Sequence, residues 1–280
     1  MNVAITALRE RLPVARPISV VHTDLPENDF SSLYRWLESD PASYLRTQSN
    51  VFTSAVGRSF YERLFPDNYV SLGWSAYAVT WPSRTPALIP GHFYITRSTG
   101  AVLQVFDQRA EQDWEVFLSH RARELRRGGR LLVLTPGRGD DGLHGTEPLM
   151  DQVNAVLTEM VNDGFITSEE RERIVLPAPV RNKSDLMAPF LKTGAFQGLV
   201  VEYCDVSTGP DAAWTGYQEH RDPNILALQH AGFVRATFGP TLASALDGGS
   251  AGNRAAAFIE RLKKQLISRV AITHADTNRG

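Results

Sequence analysis

The sequence has few of the features that fix a compartment or a metal centre. Only one cysteine, Cys204, occurs among the 280 residues, which excludes an internal disulfide and a cysteine-cluster metal site. No apolar run approaches the ~20 residues that cross a bilayer. The N-terminus also lacks the charged, apolar and small-residue succession of a signal peptide. These absences predict a soluble protein of the cytoplasm, without a membrane partner.

A strong excess of positive or negative charge is also missing, as are several common catalytic motifs. With 29 basic and 31 acidic side chains, the net charge of −2 gives no reason to expect nucleic acid as a partner. The seven histidines show no HExxH arrangement, and no GxSxG elbow is present. The glycine-rich stretch 135–145 lacks both the Walker lysine and GxGxxG spacing. We expect this stretch to be a surface loop rather than a phosphate cradle.

What is present is an alternation of strand and helix patterns. Apolar runs at 17–26 and 130–136 are typical of buried strands, and a helical pattern at 112–127 is expected to end at Gly128 and Gly129. Continuous apolar strands between helices favour a parallel sheet covered on both faces. The predicted fold class is α/β, with a doubly wound, mostly parallel sheet.

The second half of the chain is more helical. A helix is expected from residue 147 to a break at Gly164, followed by a new helix with a capping box between Thr167 or Ser168 and Glu170. Further along, the pattern predicts a helix capped by Ser184 or Asp185, a strand over 196–206, a helix over 253–270 and a frayed tail. We therefore expect a core domain at 1–142 and a helical cap, interleaved with remaining core elements, at 143–280.

Two features suggest a ligand site but leave alternatives open. Asp24 follows a predicted strand, so it can accept the hydroxyls of a ribose at the carboxyl edge of the sheet, or simply cap its own turn while Asn28 or Asp29 caps the next helix. The stretch 56–81 holds seven aromatic residues without a regular period. That stretch is either an irregular part of the core or the wall of a pocket for a flat ligand.

Several segments, in order, resemble the SABATH methyltransferases, the salicylate, benzoate and theobromine group that uses S-adenosylmethionine. Residues 24–30, "DLPENDF", are similar to that family's "DLPxNDF". Residues 56–86 and 117–138 are similar to its "GSFYxRLFP" and "FLxxRAxELxxGGR" segments, and 149–179 to the helical segment that follows. The resemblance covers about residues 5–270. It implies a Rossmann-like methyltransferase sheet with a helical cap, and usually a homodimer.

The resemblance also implies roles for six residues. Asp24 and Leu25 match positions that hold the ribose and flank the adenine of the cofactor, and Ser59 and Phe60 match a pair lining the adenine. Tyr77 and Trp81 match substrate-pocket aromatics, with Trp81 where an indole N–H binds the substrate carboxylate. Core packing is the alternative for Tyr77. No catalytic acid or base is expected, because a carboxylic acid is already ionised near neutrality.

The sequence departs from the family pattern at three places. The family's glycine-rich "DxGCSxGxN" motif is expected upstream of the first helix, where this chain starts; a late start site, a truncated gene and a degenerate relative are the alternatives. "SLGWSA" replaces "SLHxxxSS" in the expected pocket wall. The positions that hold magnesium in some members match Glu172, Ile174 and Val175, a poor hard-cation set, so no metal is predicted.

The function that the resemblance implies is S-adenosylmethionine-dependent methylation of the carboxylate of a small, aromatic or apolar acid. Two alternatives stay open. One is a homologue that keeps the fold and the dimer interface but has little or no activity. The other is N-methylation of a xanthine-like base.

Overall fold

The computed structural model of the chain describes residues 1–139, 142, 144–209, 211–250 and 252–277, with side chains up to residue 273. The strands in this part of the chain are β1 (Ile18–Asp24), β2 (Val51–Gly57), β3 (Val70–Ala76) and β4 (Leu125–Leu134). The helices are α1 (Asn2–Arg9), α2 (Phe30–Ser39), α3 (Tyr44–Thr47), α4 (Gly100–Glu124), α5 (Glu147–Asn162), α6 (Ser168–Arg173), α7 (Lys183–Met187), α8 (Ala212–His220), α9 (Pro223–Thr237), α10 (Gly239–Ala243) and α11 (Asn253–Thr277). The predicted alternation of strands and helices is therefore present in the first half.

Strands β1 and β2 form a parallel pair, as the continuous apolar pattern predicts. The register runs from Ile18 opposite Val51 to Asp24 opposite Gly57. Helix α2 lies between them in the chain and makes the crossover that parallel strands require. Its Leu37, together with Ile5 of α1 and Val20 of β1, belongs to a small buried core. Because the strands are parallel, both end at the same edge of the pair.

Strands β3 and β4 form a second pair, and here the predicted helix end is wrong. Helix α4 ends at Glu124, and Gly128 and Gly129 lie within β4. The amide of Tyr69 already donates to the Glu124 carbonyl over 2.8 Å, so pairing with β3 begins where the helix stops. A Cβ on Gly129 would lie only 3.0 Å from the Val70 carbonyl oxygen. Gly129 therefore permits close strand pairing, while Gly128 adopts a φ of 74°, and neither residue ends the helix.

The predicted helix boundaries around residue 165 are confirmed. Gly164 follows α5 with a φ of 68°, which suits glycine. Thr167 then caps α6, with its side chain accepting from the Glu170 amide and the Glu170 carboxylate accepting from the Thr167 amide. Helix α7 is capped by Asn182 instead of Ser184 or Asp185. Asp185 is the third helical residue and supplies the return bond of a capping box.

Two other expectations about the second half need correction. Residues 196–206 are not a strand; a single bridge joins Phe196 to Leu199. Val200 and Tyr203 are exposed, so no sheet within the described part of the chain buries these apolar side chains. Helix α11 extends beyond the predicted 253–270 and is helical as far as Thr277, where a frayed tail was expected. The rest of that tail, 278–280, lies outside the described residues, as do 140, 141 and 143 of the glycine-rich stretch.

The chain forms two compact units, each with its own interior. One comprises Met1–Gly73 and Val116–Leu131, and the other comprises Trp74–Glu115 and Leu132–Gly280. In the second unit α11 packs against α9 and α5, and its Phe258 and Leu266 are fully buried. The expected division at about residue 142 stays a prediction. Among the residues that the structure describes, no helix is long and apolar enough to cross a membrane.

Candidate functional site

Asp24 lies at the carboxyl end of β1, where its side chain is exposed. Its Oδ1 accepts a hydrogen bond from the Leu25 amide over 2.8 Å, and its carbonyl accepts from the Arg58 amide over 2.7 Å. The helix-capping role belongs to Asp29, whose Oδ1 accepts from the Ser32 amide over 2.9 Å. A carboxylate has roughly four lone-pair sites. Asp24 can therefore accept further hydrogen bonds besides the one from the Leu25 amide.

The chain that leaves β1 and the chain that leaves β2 lie close together. A Cβ on Gly57 would lie 3.3 Å from Cα of Pro26, tighter than most such contacts. Glycine at this position therefore permits the two turns to approach. As a result, Asp24 at the end of β1, Leu25 just after it and Ser59 after β2 lie at the same edge of the parallel pair.

Phe60 offers a partly exposed aromatic ring next to this edge. Its ring centroid lies 4.5 Å from that of Tyr61 and 6.1 Å from that of Phe117, the latter in an edge-to-face arrangement. The Ser59 hydroxyl accepts from the Tyr61 amide over 3.2 Å, which turns the backbone after β2. The exposed Leu25 side chain adds apolar surface at the same edge. This edge thus combines one carboxylate acceptor with aromatic and aliphatic groups.

The loop of residues 58–65, called here the post-β2 loop, is held by two buried charged residues of α4. Arg121 donates to the carbonyls of Phe60 and Glu62, each over 2.9 Å. Glu124 accepts at Oε1 from the amides of Leu64 (2.6 Å) and Phe65 (3.2 Å). Sequence reasoning assigned no role to either residue. The available signal was their helical spacing from Phe117, which places two charges on the apolar face of α4.

Tyr77 and Trp81 belong to the second compact unit and have different surroundings. Tyr77 has a φ of 59° and is 57% exposed, so it is not a core residue. Its amide donates to the Leu134 carbonyl over 2.7 Å. Trp81 is half-buried, packs against the helical core, and meets the ring of Phe238 edge-to-face at 6.3 Å.

The segment that carries Tyr77 and Trp81 is also anchored by charged side chains. The buried Arg181 donates to the carbonyls of Val79 (2.7 Å) and Ala110 (3.0 Å). Asp113 accepts from the Ser83 amide and hydroxyl, each over 2.8 Å, and pairs with Arg109. These bonds fix the backbone on both sides of Trp81.

The residues matched to a magnesium site have apolar surroundings. Ile174 and Val175 are buried in the helical core. Within the described residues, no group of three or more histidine, cysteine, aspartate or glutamate side chains is arranged to hold a metal ion. A hard divalent cation requires oxygen ligands, which these two side chains lack.

Comparison with known proteins identifies the family. The family model for SAM dependent carboxyl methyltransferases matches residues 4–275. The chain is 32% identical to salicylate carboxymethyltransferase of Clarkia breweri over 181 residues, which cover 62% of this chain and 49% of that protein. It is 27% identical to gibberellic acid methyltransferase 2 of Arabidopsis thaliana over 210 residues, covering 65% and 52% of the two chains. Benzoate O-methyltransferase of Zea mays is 30% identical over 176 residues, covering 57% and 46%.

A solved structure shows the fold. The chain superposes on loganic acid methyltransferase with SAH with a TM-score of 0.73 at 22% identity, covering 98% of this chain and 73% of that one. This confirms the predicted α/β methyltransferase fold class. Because the family model spans nearly the whole sequence, the chain belongs to the SAM dependent carboxyl methyltransferase family, as the SABATH resemblance predicts. The chain spans about half the length of the curated relatives it matches.

Proposed function

We propose that this protein transfers a methyl group from S-adenosylmethionine to the carboxylate of a small, aromatic or apolar acid. The observation that carries the proposal is the edge of the β1–β2 pair, where Asp24 and the Ser59–Phe60 turn meet within a chain of the carboxyl methyltransferase family. The relatives named above act, by their names, on salicylate, benzoate and gibberellic acid. We therefore expect an acid of similar size and polarity.

The chemistry of the β1–β2 edge fits the nucleoside part of this cofactor. The exposed Asp24 carboxylate can accept hydrogen bonds from both ribose hydroxyls. Leu25 and the partly exposed ring of Phe60 supply flat apolar surface for an adenine, with Ser59 beside it. When bound, S-adenosylmethionine supplies an electrophilic methyl group on a sulfonium. In this proposal Asp24 provides the hydrogen-bond acceptor, and Leu25 and Phe60 provide the apolar contacts, for the nucleoside end of the cofactor.

The acceptor side needs binding and orientation rather than a general base. A carboxylic acid with a pKa of about 4 is ionised near neutrality and already nucleophilic. The indole N–H of Trp81 is a donor only, so it can hold one carboxylate oxygen while the other reacts. The exposed ring of Tyr77 can stack on an aromatic or apolar acid. Methyl transfer then depends on the placement of the reacting oxygen and on the exclusion of water.

Organisation and location complete the proposal. Residues 1–142 would form the cofactor-binding core and residues 143–280 the helical cap with the remaining core elements. We further propose a homodimer that works in the cytoplasm. The oligomeric state can be measured directly by light scattering after size-exclusion chromatography, and a monomer would contradict the dimer without affecting the proposed reaction.

Calorimetry with S-adenosylhomocysteine, the product of the cofactor, tests the proposal at its cofactor side. We expect binding to the wild-type chain and a loss of about tenfold or more for Asp24→Ala, because hydrogen bonds to a charged group contribute about 1.5–3 kcal/mol. Glu27→Ala is the matched control, since Glu27 is an exposed carboxylate three residues away. Its affinity should equal that of the wild type.

The other outcomes distinguish the alternatives. Absence of binding at millimolar ligand would contradict the proposed activity and favour a homologue that keeps the fold without activity. Equal affinities of the wild type and Asp24→Ala would remove Asp24 from the site. Methyl transfer to a xanthine, with none to benzoate or salicylate, would favour the N-methylation alternative.

A further inference from the structure

We propose that the buried pair Arg121–Glu124 sets the conformation of the post-β2 loop, and that through this loop it sets the affinity for the cofactor. Neither residue would touch the ligand. They would be positioning residues that act through Ser59 and Phe60. The statement about affinity rests on the proposed function, whereas the statement about the loop does not.

Arg121 fixes the first half of the loop. The residue is 8% exposed, and its guanidinium donates through Nη1 to the Phe60 carbonyl and through Nη2 to the Glu62 carbonyl. It also lies over the ring of Phe117, 5.3 Å from the centroid. The same Phe117 ring meets the ring of Phe60 edge-to-face. Arg121 therefore holds both the backbone of Phe60 and the aromatic surface on which Phe60 rests.

Glu124 fixes the second half of the loop. It is 1% exposed. Its Oε1 accepts hydrogen bonds from the amides of Leu64 and Phe65 and from Nη2 of Arg121, the last over 2.9 Å. The Arg121 Nε lies 2.8 Å from the other carboxylate oxygen, an ion-pair contact without hydrogen-bond geometry, so the hydrogen bond between the two side chains is the one from Nη2 to Oε1. Both halves of the loop are therefore hydrogen-bonded to Arg121 and Glu124, two side chains that are paired with each other on α4.

The other ion pairs made by the loop lie at the surface. Arg58 pairs with Glu62, and Arg63 pairs with Asp67, but all four side chains are about half exposed. Exposed ion pairs contribute little because water and salt screen them. A buried charge cannot lose its partner without a desolvation penalty, so the Arg121–Glu124 pair restricts the loop far more strongly.

This arrangement explains how the short turn after β2 can present a preformed surface. A loop that is ordered before binding loses less conformational entropy when a ligand arrives. With the Phe60 and Glu62 carbonyls and the Leu64 and Phe65 amides fixed, Ser59 and Phe60 have little freedom. Loosening the pair should therefore lower cofactor affinity without changing any atom of the ligand site.

Two variants test the proposal. Glu124→Gln keeps the shape of the side chain but removes the charge and turns an amide group toward Arg121. The double variant Arg121→Met with Glu124→Leu removes both charges at once, so no buried charge is left uncompensated, and we expect the chain to keep its fold while the loop backbone loses its anchors. The matched control is Glu170→Gln in α6, because Glu170 is also fully buried, pairs with an arginine and accepts backbone amides.

Hydrogen exchange measured by mass spectrometry on the full chain reports on the loop directly. We expect the Leu64 and Phe65 amides to exchange about tenfold faster or more in both variants. Calorimetry with S-adenosylhomocysteine should then show a dissociation constant raised about tenfold, while KM for the acid stays near the wild-type value. Glu170→Gln should lower the melting temperature but change neither the loop exchange nor the dissociation constant.

Each contrary result has a distinct meaning. Unchanged exchange of Leu64 and Phe65 in the double variant would overturn the proposal. Faster exchange with an unchanged dissociation constant would overturn the link to affinity and leave the proposed function intact. If the wild type itself bound no S-adenosylhomocysteine, the proposed function and the link to affinity would both fail, and the exchange data alone would decide whether the pair sets the loop.

Discussion

At the scale of single residues, Trp81 combines a packing role with a proposed hydrogen-bonding role. Its ring packs against the helical core and meets Phe238 edge-to-face, while its indole N–H is the proposed donor to the substrate carboxylate. Trp81→Phe retains an aromatic ring but removes the donor. We expect kcat/KM for benzoate or salicylate to fall about tenfold or more, since a hydrogen bond to a charged group is lost. Steady-state kinetics with each acid measures this directly.

The control for Trp81 is Trp36→Phe, because Trp36 is a half-exposed tryptophan in α2 with no proposed role. That variant should keep the wild-type kcat/KM. The affinity of Trp81→Phe for S-adenosylhomocysteine should also be unchanged. An equal loss of acid turnover and cofactor affinity in Trp81→Phe would show that the residue is only structural.

The same scale shows how much of the candidate site the sequence predicted. Asp24, Ser59 and Phe60 stand in recognisable motifs, and the structure places them at one edge of the β1–β2 pair. The anchors Arg121 and Glu124 were not predicted, although their spacing on α4 puts them on its apolar face. Which backbone groups they bind depends on a loop about 60 residues earlier in the chain. Helical periodicity cannot specify such a distant partner.

At the scale of elements, the junction between α5 and α6 depends on one glycine. Gly164 has a φ of 68°, a conformation that costs other residues about 1–2 kcal/mol. Gly164→Ala should therefore lower the free energy of unfolding by about that amount. Urea denaturation followed by circular dichroism measures the change.

Gly232→Ala is the opposite case and serves as the control. Gly232 lies inside α9, and a Cβ there would meet no atom within 4 Å. Alanine favours a helix interior over glycine by about 1 kcal/mol, so this variant should be more stable than the wild type. If both alanine variants changed stability in the same direction, the argument from backbone conformation would fail.

Helix and strand boundaries were predicted well where nearby residues specify them. They were predicted poorly where pairing between distant strands specifies them. The capping box of Thr167 and Glu170 is specified by residues three apart and was predicted correctly. The apolar run at 196–206 has strand-like composition but pairs with no strand among the described residues, so it stays irregular. Gly128 and Gly129 are typical of a helix end, yet pairing with β3 draws them into β4. Strand formation requires hydrogen bonds to a distant segment, which composition does not reveal.

At the scale of the whole molecule, three partly buried histidines and one buried glutamate make stability depend on pH in the same direction. Burial lowers the pKa of His22, His92 and His144 below the ordinary value of 6.5. The hydrogen bond from Arg254, helped by the Asp247 and Thr167 amides, lowers the pKa of Glu170 from 4.5 to about 2. In each case the unfolded chain binds protons more readily than the folded one, so lowering the pH favours unfolding.

We therefore expect the free energy of unfolding to be lost in two windows as pH falls. The histidine contribution is present above 6.5 and decreases below it, and the Glu170 contribution decreases between 4.5 and about 2. Urea denaturation at pH values of about 7, 5.5 and 4 measures the first window and the start of the second. Constant stability between about pH 7 and 5.5 would contradict the histidine argument. Glu170→Gln should be less stable than the wild type near neutral pH and lose less below 4.5.

The sequence by itself determined the family, the α/β class and the capping box of α6, and it predicted the residues of the candidate site, because these depend on short motifs and local periodicity. Only the tertiary structure decided where β4 begins, that residues 196–206 form no strand, and that Tyr77 is exposed with a positive φ. It also decided that Arg121 and Glu124 hold the post-β2 loop. These features arise from hydrogen bonds and burial between segments far apart in the chain, and a local pattern contains no information on which distant group will be the partner.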